Sequence, residues 1–147
     1  MPGIVLIAGG VGITPVMSIL RTLALQNWEQ PVYSLSAVKT ERDLIFASAL
    51  QTLAENNPQI QLLLTLTRQP SESSWRGHRG RIDGAMLTDF IPNLRELPVF
   101  LCGPNDMIDG VRVTLQGLGI PHDQIRTEVF SGRKSSLSSE PTKGDMQ

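Results

Sequence analysis

The chain has 147 residues, 40% of them apolar, with 13 Lys plus Arg against 14 Asp plus Glu. That is enough for one domain with its own core, and the net charge of -1 gives no overall pull toward nucleic acid or anionic lipid. The single cysteine, Cys102, excludes an internal disulfide and a four-cysteine zinc or iron–sulfur site within the chain, so no metal site is expected and a reducing compartment fits best.

The opening "MPGIVLIAGGVGITP" has no basic segment before its short apolar run, and no stretch elsewhere is long enough to span a bilayer. The expectation is a soluble, cytoplasmic chain. Apolar runs then alternate with helical patterns, the signature of βαβ units and a parallel sheet. The predicted strands are "GIVLIA" (3–8), "VYSLSAV" (32–38), "IQLLLTLT" (60–67), "VFLC" (99–102) and "IRTEVF" (125–130). Several are apolar on successive residues, as strands buried on both faces are.

Between them the spacing predicts four helices. Thr14 as N-cap and Pro15 at the first helical position start one over residues 15–26. Thr40 and Asp43 form a capping-box-like start for a second, with Leu44, Ala47, Leu50 and Ala54 on one face before Asn57-Pro58 stops it. Asp83 caps a short third helix with Met86, Leu87 and Phe90 inward, ended by Pro92. A fourth runs from about Pro104 to Leu118, with Met107, Val111, Leu115 and Leu118 at helical spacing and Gly119 as its C-cap. The polar segment 68–81 reads as a long loop, and 131–147, nearly devoid of apolar residues, as a disordered tail or linker after a domain over 1–130. The fold class is α/β, a doubly wound five-stranded parallel sheet with helices on both faces.

The glycines of "LIAGGVGITP" (6–15) stand where a strand turns directly into a helix. Backbone N–H groups and the positive end of the helix dipole converge there, which suits an anion. Glycine serves such a site by accepting positive φ and by letting a phosphate approach without meeting a Cβ; in a plain tight turn it only relieves strain. No Lys-Ser/Thr follows, so the turn is not a Walker-type loop. Nor is it Gly-x-Gly-x-x-Gly, since Pro15 stands in the third glycine's place counting from Gly10.

Together with "KTERDLIF" (39–46), "WRGHRGRID" (75–83), "CGP" (102–104) and "TEVF" (127–130), the "GGVGITP" turn resembles the pyridine-nucleotide-binding domain of the ferredoxin–NADP reductase superfamily, near its cytochrome b5 reductase and flavin oxidoreductase branch. The resemblance covers residues 4–130 and implies strand order 3-2-1-4-5 and NAD(P)H as cofactor. It assigns the pyrophosphate to Gly10, Gly12, Ile13 and Thr14, with Pro15 beside them. It places Cys102, Gly103 and Pro104 around the nicotinamide, and Glu128 near nicotinamide and flavin, so that Cys102 and Glu128 stand as the catalytic candidates. A buried structural cysteine, and a Glu128 turned to solvent by strand alternation, remain open beside those roles.

At the adenosine end two readings stand. Thr67-Arg68 occupies the place of a Ser/Thr-Arg pair that meets a 2′-phosphate in NADP-preferring members, with Arg76, Arg79 and Arg81 nearby. Glu41 and Asp43 follow the second strand, where a carboxylate accepts from a free ribose hydroxyl and repels a phosphate.

In the superfamily the hydride passes to a flavin, FAD or FMN, held by a barrel domain preceding the glycine strand. Only three residues precede Ile4, so the flavin is expected on another domain of a longer protein or on a partner flavoprotein, and the chain is not expected to be active alone. The other expectation, of a different class, is a non-catalytic nucleotide-binding or sensing module.

Overall fold

The structure, a computed structural model, describes residues 3–44, 47–70, 73, 75 and 77–129. The expected tail at 131–147, Phe130 and Arg76 lie outside the described residues.

Apolar runs at the predicted places form β1 (Ile4–Gly9), β2 (Val32–Val38), β3 (Ile60–Leu66), β5 (Val99–Gly103) and β6 (Ile125–Val129) of the sheet, and β4 (His78–Arg79) joins them from within the segment 68–81 expected as loop. All pair in parallel, in the order β4-β3-β2-β1-β5-β6. The five long strands keep the expected order, but the count of five is corrected to six. Strand β4 is two exposed residues pairing Thr65 with His78 and Leu66 with Arg79. It carries no apolar signal; it forms because Gly80 N–H donates to Leu66 at 2.9 Å and Thr65 Oγ1 donates to the Gly80 carbonyl at 2.6 Å.

The helices are α1 (Ile13–Leu25), α2 (Ala47–Asn56), α3 (Gly84–Phe90) and α4 (Asn105–Gly117). Successive strand residues face opposite sides. Leu6, Ala8, Val32, Ile60 and Cys102 pack with Val16 and Leu20 of α1 and Leu50 of α2. Val5, Ile7, Leu35, Leu63 and Leu101 pack with Leu87 of α3 and with Ile108, Val111 and Leu115 of α4. The doubly wound architecture follows: α1 and α2 cover one face, α3 and α4 the other.

Two helix starts differ from expectation. Residues Gly10–Gly12 form a 3-10 turn that runs straight into α1, so the cap is Gly12 and Thr14 lies inside the first turn, exposed. The Thr40–Asp43 box does form, but it opens a 3-10 turn, Glu41–Asp43, and α2 begins only at Ala47. Asp83 caps α3 as expected, accepting from the Met86 N–H at 2.8 Å, and Gly119, at φ +91°, follows the end of α4.

Candidate functional site at the strand ends

Strand β1 sits between β2 and β5, so the chain's connections leave it in opposite directions and a crevice opens at its C-terminal end. Gly9 and Gly103 line that crevice. A Cβ on either would come within 2.9 Å of Met107 Cε, and one on Gly103 within 3.1 Å of the Gly9 carbonyl. Met107 therefore closes over two strand ends that approach as closely as glycine permits. Helical spacing marks Met107 only as a core position, and this second contact has no signal in the sequence.

The glycines of the turn divide by task. Gly10 is exposed at φ +55°, and a Cβ there would meet nothing within 4 Å. It supplies the left-handed turn and leaves open space above it. Gly12 has an ordinary helical φ of -61°, yet a Cβ there would run into the Cys102 carbonyl, with the carbonyl carbon at 2.6 Å. Its small size serves packing of α1 against the end of β5. That steric role is not legible in the sequence, since the contact spans ninety residues of chain. Ile13 is buried and Pro15 half-buried behind the turn.

The charge around the crevice is uneven. No acidic residue stands in the Gly10–Gly12 turn or the first turn of α1, so the helix's own residues do not offset its positive end. At the other side, α4 starts directly after Gly103-Pro104 with Asp106 in its first turn. Glu128 on β6 lies in register with Cys102 on β5. The Cys102 side chain is fully buried, in the cluster beneath α1. Burial, with the Glu128 carboxylate adding to it, pushes its thiol from an ordinary value near 9 up to about 12. It is a neutral thiol at physiological pH and no nucleophile. Glu128 itself is exposed, as strand alternation allows.

The adenosine candidates gather at the ends of β2 and β3. Thr67 N–H donates to the Val38 carbonyl at 2.9 Å and Arg68 N–H to that of Lys39 at 2.8 Å, holding the two exits side by side. Asp43 Oδ2 accepts from Thr40 N–H and Thr40 Oγ1, both at 3.1 Å. Glu41 is gripped by Gln69, whose Nε2 donates to the carboxylate at 2.8 Å and whose Oε1 accepts from the Glu41 N–H at 3.0 Å. Arg79, grouped in the sequence with the phosphate candidates, is committed elsewhere. It donates to the carbonyls of Gln69, Pro70, Ser73 and Trp75 and to Ser73 Oγ at 2.8–3.5 Å, stapling its own loop. Arg68 is exposed, and no hydrogen bond or ion pair joins its side chain to a described residue. Among the described residues no His/Cys/Asp/Glu group has the makings of a metal site, and no helix is long and apolar enough to cross a membrane.

The chain is similar to proteins of known kind over most of its length. It is 29% identical over 127 residues to the glycine betaine monooxygenase reductase subunit of Pseudomonas aeruginosa, covering 86% of this chain and 35% of the relative. It is 35% identical over 109 residues to NADH-cytochrome b5 reductase 2 of Danio rerio, covering 72% and 35%. Among solved structures, the flavohem-like FAD/NAD binding domain of nitric oxide dioxygenase from Vibrio cholerae superposes with a TM-score of 0.77 at 30% identity, covering 88% of this chain and 51% of that one. The chain thus spans about a third of the length of the curated relatives it matches. The family model for the oxidoreductase NAD-binding domain matches residues 6–113, from the strand before the glycine turn to well into α4. On that match and on its ferredoxin reductase-like sheet, the chain belongs to the oxidoreductase NAD-binding domain family.

Proposed function

We propose that this chain holds a nicotinamide dinucleotide, NAD(P)H, across the C-terminal ends of β1 and β5 and presents it to a flavin, FAD or FMN, on another domain or a partner flavoprotein. The observation that carries the reading is the Gly10 turn, left-handed at Gly10, open to solvent there and placed at a helix end whose own first turn holds no carboxylate. These residues fit a pyrophosphate. The backbone at Gly10, Gly12 and Ile13 and the Thr14 hydroxyl would hold it, with Pro15 fixing the first turn of α1.

Charge then sets the direction of the ligand. The anionic end belongs at α1, while the side bearing Asp106 and Glu128 disfavours phosphate and suits the nicotinamide, between Gly103-Pro104 and the floor made by Cys102. Thr67, Arg68 and Asp43 lie one and two strands away, where the adenosine ribose would reach. When bound, the nicotinamide supplies the hydride. The chain's own residues orient it and keep the buried Cys102 thiol protonated beneath it. The relatives named as reductases support this reading, and no observation favours a non-catalytic module. A domain over 1–130, a tail after it and a cytoplasmic setting belong to the same proposal.

Calorimetric titration of the full chain with NADH and with NADPH tests it. Saturable binding of at least one is expected, with no flavin in the purified chain. Gly10→Asn should weaken binding at least about tenfold by filling the open space, at a stability cost of about 1 kcal/mol or less, because Asn tolerates left-handed φ. Absence of binding by the wild-type chain at millimolar ligand would overturn the proposal.

A further inference from the structure

Beside the stapled Arg79, the corner where β2 and β3 end carries five further charged side chains, Lys39, Glu41, Arg42, Asp43 and Arg68, all of them exposed. Its two carboxylates are both hydrogen-bonded within the chain, Asp43 to Thr40 and Glu41 to Gln69. Of those five, none of the three cations, Lys39, Arg42 and Arg68, has a side-chain bond to a described residue. Gln69 makes the Glu41 half of this asymmetry. Its amide takes both the N–H and the carboxylate of Glu41, and its own backbone carbonyl accepts from Arg79 at 3.3 Å. The Arg79 staple thus anchors Gln69, and Gln69 anchors Glu41 across 28 positions of sequence.

Resting on the dinucleotide reading above, we propose that Gln69 is a specificity-determining residue: by clasping Glu41 it turns that carboxylate away from the ribose and leaves Arg68 as the available partner, so that the site selects the 2′-phosphorylated dinucleotide, NADPH. The clasp acts on position rather than on charge. A carboxylate free to swing accepts from a ribose 2′-hydroxyl and repels a 2′-phosphate, whereas a guanidinium pairs with phosphate through its planar fork. Such a role has no motif, because glutamine carries no charge and its partner is distant in sequence.

The test is the ratio of NADPH to NADH affinity in the full chain for wild type, Gln69→Leu, Glu41→Gln and the double variant. Wild type should favour NADPH. Gln69→Leu should lower the ratio about three- to tenfold, the value of one or two exposed hydrogen bonds, and in the Glu41→Gln background the same change should leave the ratio unmoved. A merely structural Gln69 would weaken both ligands alike, and an unmoved ratio in Gln69→Leu overturns the inference. A wild-type preference for NADH overturns it while leaving the dinucleotide reading intact; binding of neither ligand overturns both.

Discussion

Gly12→Val is expected to cost the domain about 3 kcal/mol or more, enough to lower its unfolding midpoint by on the order of 10 °C. The φ of -61° at Gly12 would accept any residue, so no conformational penalty enters. The whole effect is steric. The first added carbon meets the backbone of Cys102, with the carbonyl carbon at 2.6 Å and the Gly103 nitrogen at 3.1 Å, and a backbone hydrogen-bonded into a parallel sheet cannot step aside as a side chain would. Relief requires α1 to lift from β5, which opens the cluster of Ile13, Val16 and Cys102. Urea unfolding of Gly12→Val beside Gly10→Asn measures the contrast. The former should lose stability and the latter should lose mainly ligand affinity. Equal and small stability losses in both would remove the packing role of Gly12.

The second large effect is on pH dependence. The Cys102 thiol has its folded pKa raised to about 12, so the folded state holds this proton more tightly than the unfolded state does. The stability it contributes is whole below an unfolded value near 9 and is lost as pH rises toward 12. Each tenfold gain in proton affinity on folding is worth roughly 1.4 kcal/mol, so wild type should lose on the order of 2–3 kcal/mol between about pH 9 and about pH 11 through this group alone. Cys102→Ala should start lower, because of the void left where the sulfur was, and fall less over that interval. Urea midpoints of both proteins at three pH values give the difference directly. Parallel slopes would mean that Cys102 is not desolvated as its burial implies.

Strands β1, β2, β3 and β5 are legible in the sequence because most of their residues are buried. In Val32–Val38, buried at every residue, the polar positions Ser34 and Ser36 are small and buried too, whereas β6 is exposed after Ile125 and shows through its β-branched Ile125, Thr127 and Val129. The edge strand β4 is not legible, since His78 and Arg79 are exposed and held by a neighbour's hydroxyl and backbone rather than by apolar packing. The start of α1 lies two residues before the place that Thr14-Pro15 marks, because that pair is a generic helix opening, while the turn ahead of it is made of glycines whose conformation no side chain announces. Site chemistry divides in the same way. The Gly10 turn is readable from its neighbours in sequence. The commitments of Glu41 to Gln69 and of Arg79 to its own loop are pairings that only the parallel alignment of β2, β3 and β4 brings together.

A backbone amide map of the full chain by two-dimensional NMR, with and without saturating NADPH, tests most directly whether the dinucleotide lies across the ends of β1 and β5. Binding there predicts the largest shifts at Gly10, Val11, Gly12, Ile13 and Thr14, with a second group at Gly103 and Asn105 and a third at Arg68. Shifts confined instead to the groove between α1 and α2, lined by Met17, Thr52 and Asn56, or no shifts at all, would contradict it.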